Sequence, residues 1–326
     1  MKKIVFAFLL ALPALLHAQR EPFITRSLTN EKFSQLDIST AHGNITVEKV
    51  PASEARVEVY IYANGNLRDQ RISKEEIQQR LDQYYEFEIA IQNGELKAIA
   101  RAKDNLGNAF NWKKSLSISF TIYTAEAMPG DLKTSHGNIE VSNMNGKQEL
   151  STSHGNIVVK AINGSVSGGT SHGNLVISSV SEGVKMRTSH GNIEAERCDG
   201  NVTLTTSNGN VRLNSLKGKI DAQTTHGNIE GDALSGQLDA STSHGDISLR
   251  NLDASVETST SHGNITLHLP KGKGVDLDLH GKRISVDKLE NFSGSKEERK
   301  LKGTMNGGGM IVKAATSQGS VDVKFN

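Results

Sequence analysis

The chain has 326 residues, with 37 basic and 36 acidic side chains, a formal net charge of +1 and no long block of one sign. That balance argues against nucleic acid or an anionic membrane surface as a partner. Glycine is frequent at 31 residues, and Cys198 is the only cysteine, so no internal disulfide can form and a repetitive β architecture is favoured over a helical one.

At the start, Lys2 and Lys3 precede an apolar run over residues 4–16, too short to span a bilayer with any margin. The run ends in Leu16-His17-Ala18, so residues 1–18 read as a signal peptide cleaved after Ala18. The mature protein is then exported to the periplasm, cell surface or medium, with no transmembrane segment left after cleavage. Residues 19–130 read as an N-terminal β-rich capping region. Val57, Val59 and Ile61 alternate with polar neighbours, as do Tyr85, Phe87, Ile89 and Ile91, and later Leu116, Ile118, Phe120 and Ile122. One helix is predicted here, with Ser73 and Glu76 as a capping box and Ile77, Leu81 and Tyr84 as its apolar stripe.

Residues 131–288 carry a repeat. Thr-Ser-His-Gly-Asn, or a close variant, recurs every eighteen residues at His136, His154, His172, His190, His226, His244 and His262, with Asn208 filling the missing step. One further step gives His280-Gly281, and outlying copies stand at His42 and Gln318. Ile139, Ile157, Leu175, Ile193, Val211, Ile229, Ile247 and Ile265 follow the motif at constant phase. A second alternating run, such as Val202, Leu204 and Thr206, completes each unit. Turn residues such as Asn145-Gly146 and Lys217-Gly218 separate the runs. The expected fold is all-β: a parallel β-helix-like solenoid of 18-residue coils, right-handed or flattened, with two strands and two corners per coil. A left-handed hexapeptide helix would place apolar residues every six positions, which this chain does not. Residues 289–326, with Asn306-Gly307-Gly308-Gly309, read as a C-terminal cap.

The signal peptide, the β-rich leader with one helix, the stacked Thr-Ser-His-Gly-Asn-Ile coils and the Asn-Gly-Gly-Gly ending resemble the DUF4097 family of bacterial adhesin-like β-strand-repeat proteins. The resemblance covers most of the mature chain. It implies a β-helix-like fold in the bacterial envelope and brings no catalytic residues with it.

The histidine column is the obvious candidate site. A zinc ion wants about four ligands converging at about 2.0–2.1 Å, whereas rungs about 4.8 Å apart hold side chains parallel. The column His136, His154, His172, His190, Asn208, His226, His244 and His262 therefore reads as a structural ladder with no metal, and the spacing leaves open whether it faces the core or solvent. Glu194, Glu196, Glu230 and Asp232 face outward on alternate coils, about 9.6 Å apart, near the spacing of inverting glycosidases. Arg212 between them points instead to ion pairing on a solvated face. Phe110 and Trp112, among Asn and Lys, are a candidate glycan contact, although packing beneath the N-terminal sheet explains them as well. Cys198 replaces an aliphatic column and reads as a small buried hydrophobe. The expected function is a structural or interaction module of the envelope, without catalysis or cofactor, whose partners are envelope proteins or glycans. The alternative is a polysaccharide-binding or polysaccharide-cleaving β-helix.

Overall fold

The computed structural model describes residues 21–63, 72–103, 115–289 and 291–326. Each repeat contributes one strand leading into the motif and one leading out of it. The approach strands, such as Gly130–His136, Val166–His172 and Val184–His190, pair in parallel in one sheet. The exit strands, such as Ile139–Asn145, Ile157–Asn163 and Leu175–Val180, pair in parallel in the opposite one. Like residue meets like residue: Ile157 lies between Ile139 and Leu175, and Val202 between Val184 and Ile220.

Period-two alternation turns one side of each strand inward. The Ile column from Ile139 to Ile265 is fully buried between the sheets, together with Val141, Val159, Ile177, Leu213 and Leu249. Gly231 breaks that inner column, and the methyl groups of Leu249 and Leu234 fill the space its missing Cβ leaves. Cys198 is buried in the column of Met144, Ile162, Val180 and Leu216, and burial pushes its thiol up to about 11.

The second corner has more than the expected turn pairs. Gly146 and Gly218 of those pairs have φ of 72 and 124°, and a few positions earlier one residue per coil stands in the left-handed region. Asn143, Ala161, Ser179, Arg197, Ser215, Ala233 and Asn251 all have φ between 51 and 58°. This conformation returns the following residue to the core, and only two of the seven are the Asn that tolerates it well.

At both ends the spatial order departs from chain order. Gln35–His42 and Ile45–Lys49 form a coil that stacks on the array, with His42 opposite His136 and Ile45 opposite Ile139. Glu95–Ala102 and Leu116–Thr124 come later in the chain but lie outside that coil, Leu96 against Leu36 and Phe120 against Ile45. Tyr85–Gln92 and Arg56–Ala63 then cover them as antiparallel strands. The predicted helix spans Lys74–Tyr84; Ser73 Oγ accepts from the Glu76 N–H at 3.2 Å, and Ile77, Leu81 and Tyr84 are buried. The Glu76 carboxylate pairs with Arg80 rather than reaching back to Ser73, so half of the expected capping box forms.

The C-terminal end repeats this arrangement. Met310–Thr316 and Ser320–Phe325 stack directly on the last array coil, Val312 against Val256 and Val321 against Ile265. Val275–His280 and Arg283–Val286 lie outside them, covered by the antiparallel strands Lys300–Met305 and Phe292–Lys296. The segment read from sequence as a cap thus contains both an outer hairpin and a full coil of the stack. His280 does not extend the histidine column. It lies opposite Ala315 and bonds Asp278 at 2.9 Å, while the rung beyond His262 belongs to Gln318, whose N–H donates to the Ser261 carbonyl. Eighteen-residue spacing misleads here because the chain leaves the stack after Leu269 and returns at Met310.

Candidate functional site

The Thr-Ser-His-Gly-Asn corner is one edge of the solenoid, and each of its five positions has its own task. Thr ends the inward alternation. The Thr column is buried, and the hydroxyls of Thr134, Thr152, Thr188, Thr206, Thr224, Thr242, Thr260 and Thr316 each donate to the Gly carbonyl of the neighbouring coil at 2.9–3.1 Å. That bond ties the Thr side chain of one coil to the backbone of the next. Gly permits coils to approach closely: a Cβ on Gly155 would stand 2.0 Å from the Gly137 carbonyl oxygen. Asn builds a side-chain ladder along the edge. The Oδ1 of Asn44, Asn138, Asn156, Asn174, Asn192, Asn210, Asn228 and Asp246 accepts the N–H at the same position of the next coil, at 2.7–2.9 Å.

The imidazoles stack as parallel rings. His42 to His190 form five rungs with centroids 4.7–4.8 Å apart and planes within 4°. His226, His244 and His262 form three more at 4.8–4.9 Å. Asn208 holds the intervening rung, in register with His190 and His226. The ladder is therefore present, and it faces solvent. From His136 to His262 the column is exposed, and so are Ser135, Ser153, Ser171 and Ser189 beside it. Two successive residues, Ser and His, face water because the chain turns the corner between them and the buried Ile. Strand alternation, which would have sent one of the two inward, ends at Thr. Only His42, under the N-terminal coil, is half-buried, and burial together with the neighbouring His136 pushes its imidazole down.

The outward charges on the exit sheet pair with one another. Arg212 meets Glu230 at 3.2 Å, Arg250 meets Asp232 at 3.2 Å, Lys160 meets Glu140 at 3.0 Å, and Glu196 pairs with the adjacent Arg197. Of the expected Glu194-Arg212-Glu230 stack, Arg212 pairs with Glu230, while Glu196 and Asp232, in the neighbouring column, have partners of their own. On the approach sheet the sequence reading missed a shallow hydroxyl-rich groove. Gly169 leaves a gap over which the Arg187 side chain lies, between Ser151, Ser171 and Thr205. A glycine in an outward column of Ser, Arg and Thr was the available signal. Phe110 and Trp112 lie outside the described residues. Among the described residues no helix is long and apolar enough to cross a membrane, which says nothing of β-barrels.

No curated protein matches the chain. Among solved structures it is similar to a provisionally described cell adhesion protein from Clostridium sporogenes, at 13% identity over 90% of this chain and 93% of that one, with a TM-score of 0.20. A provisionally described adhesin from Bacteroides fragilis aligns at 15% identity over 92% and 96%, TM-score 0.31. A provisionally described lipid-binding protein from Parabacteroides distasonis aligns at 14% over 94% and 98%, TM-score 0.28. Residues 165–324, most of the array and its C-terminal closure, match the family model described as Toastrack DUF4097, and through that segment the chain belongs to the Toastrack DUF4097 family.

Proposed function

We propose that the protein is an adhesin-like interaction module, exported through the signal at residues 1–18, that works by contact in the cell envelope and not by catalysis. One observation carries this reading. The Ser-His-Asn edge offers similar polar groups coil after coil, with Asn208 on one His rung and Asp246 in the Asn ladder, held in place by backbone pairing rather than by a pocket. Such a surface suits an extended partner, a glycan chain or an envelope protein, better than a small substrate. Charge chemistry supports contact over cleavage, because Glu196, Glu230 and Asp232 each have a basic partner. Residues 131–288 then serve as the contact surface, with 19–130 and 289–326 closing its ends.

Cross-linking of the mature chain in envelope extracts, read by mass spectrometry, tests the reading. Cross-links should map to the array's edge and outer faces. Depolymerisation of a polysaccharide by the purified protein would favour the cleaving β-helix instead. N-terminal sequencing should begin at Gln19.

A further inference from the structure

Two glycines, two cations and a set of hydroxyls share one patch of the approach sheet. The strand Val166–His172 carries Gly168 and Gly169 side by side at its middle. Glycine weakens a strand interior and marks the close approach of another group. Gly168 takes the inner column at φ 133°, where a Cβ would stand 1.8 Å from the Leu150 carbonyl oxygen. Gly169 takes the outer column, where a Cβ would stand 2.9 Å from Arg187 Cγ. Around them lies a groove of about 800 Å³ that crosses four coils, a volume within the range of ligand sites.

The charge in this groove is of one sign. Lys185 and Arg187 are exposed, two residues apart on one strand, and among the described residues neither has an ion pair or a side-chain hydrogen bond. Their neighbours along the stack are uncharged: Ser167 and Thr203 flank Lys185, and Gly169 and Thr205 flank Arg187. The outward hydroxyls of Ser151, Ser167, Ser171, Thr203 and Thr205 also lack a hydrogen-bond partner among the described residues. Two other grooves are neutralised from within. Arg212–Glu230 and Arg250–Asp232 line one, and Lys313–Glu257 lines the other.

Carboxylates bound the patch on both sides. In the Lys185 column, Glu149 and Asp221 stand two coils away in either direction. Glu149 is paired with Lys147, and Asp221 accepts from Gln223 at 3.0 Å, so both are engaged elsewhere. A long polyanion laid along the stack would meet both carboxylates, whereas one anionic group between neutral ones would not. No aromatic ring lines the groove to stack a nucleic-acid base.

We propose that this groove binds a glycan through a single acidic sugar residue, an inference that rests on the contact function proposed above and names its ligand class. Arg187 and Lys185 take the carboxylate, for which the guanidinium fork is a bidentate partner. Ser and Thr hydroxyls both donate and accept, as sugar hydroxyls do, and so suit the rest of the ring. Backbone pairing holds the strands that carry these groups before the ligand arrives, which lowers the cost of ordering them.

Binding of the full mature chain to immobilised sialyllactose and to xylotriose bearing one glucuronate is measured by biolayer interferometry. Lactose, plain xylotriose and oligo-dT are the comparisons, and inorganic phosphate is the competitor. At least one acidic glycan should bind roughly tenfold or more tightly than its neutral counterpart. The variant Lys185→Gln, Arg187→Gln should lose that preference and keep its melting temperature. The same loss of charge on the opposite sheet, Lys160→Gln with Arg212→Gln, should leave binding unchanged. Thr203→Val with Thr205→Val keeps both cations and should weaken binding about threefold or more. The site is overturned by any of five results: no preference for either acidic glycan, a preference that survives loss of Lys185 and Arg187, an equal loss in the opposite-sheet variant, unaltered affinity in the Thr variant, or oligo-dT or phosphate bound as tightly as the glycan. Envelope cross-links that map to the array without any acidic-glycan preference would sink this site and leave the broader contact function standing.

Discussion

Inside the array a coil meets its neighbour eighteen residues away, whereas at the two ends the partners are 94 and 56 residues apart. The same ladders continue through both regions: Asn44 bonds the Asn138 N–H as Asn138 bonds Asn156, and Thr316 bonds Gly263 as Thr260 bonds Gly245. What changes is connectivity. In the array each coil is stabilised by its two neighbours, so stability accumulates coil by coil. At the ends the outermost segments of the fold, in chain terms, are clamped between the array and an outer coil. Loop closure over longer spans costs only slowly increasing entropy. In return, antiparallel strands cover what would be an open parallel sheet, with Ile24–Ser27 outermost on Arg56–Ala63 at the N-terminal end.

Removing residues 310–326 tests the clamp most severely. The strand Asp253–His262 would lose its partner Met310–Thr316, and so would Val275–His280. Aggregation in place of a soluble monomer is expected on size exclusion. A monodisperse truncated chain with unchanged melting would show that the closure is dispensable.

Within the array, Ile193→Lys places a charge in a core column shared by adjacent coils, because Ile193 is 1% exposed. A loss of more than about 4 kcal/mol, unfolding several coils, is expected. Glu194→Lys, one residue on but exposed, should cost under about 1 kcal/mol. Denaturant melts of the pair measure the contrast, and equal losses would contradict the inward and outward assignment.

Gly155→Ala probes the close approach at the edge. The new Cβ meets a backbone carbonyl that cannot move without shifting a coil, so a loss of about 1–3 kcal/mol is expected. The homologous change at Gly272, with nothing within 4 Å but φ at 76°, isolates the conformational cost and should lose only about 1 kcal/mol. A smaller loss at Gly155 than at Gly272 would mean that the coils are not in contact there.

Ala233→Asn should gain stability by a few tenths to about 1 kcal/mol, since Ala233 is held at φ 54° where Asn143 and Asn251 already stand. Thermal melting decides the sign, and a loss would place the strain elsewhere.

Acid should have the smallest effect. A buried ladder would have made stability fall steeply below about pH 6.5. The rungs from His136 to His262 are exposed, and the half-buried His42 has its imidazole pushed down by burial and by the neighbouring His136. The unfolded chain binds its proton more readily, so His42 contributes stability above the unfolded value that is lost as pH falls through the folded one. Melts across pH 7 to about 5 should show a shallow decline, removed by His42→Asn. A steep decline that survives this change would return the exposed rungs to the core.

The sequence by itself determined the repeat, the inner columns, the stacked motif and the helix at Ser73, because each is written in spacing between near neighbours. Ile at constant phase has to face inward when alternation allows one buried side. Which side the histidines face was a tertiary decision: Ser and His share the corner, where no periodicity dictates direction. The left-handed residues at Ala161, Ser179 and Arg197 were hidden for a related reason, since the stack holds in place a conformation that those residue types do not announce. The succession of coils at the ends was likewise undetermined. His280 repeats the eighteen-residue step and Gln318 lacks a histidine, yet Gln318 takes the rung beyond His262, because the continuous core of Val312, Ala314, Val321 and Val323 packs there and the motif alone does not carry the burial.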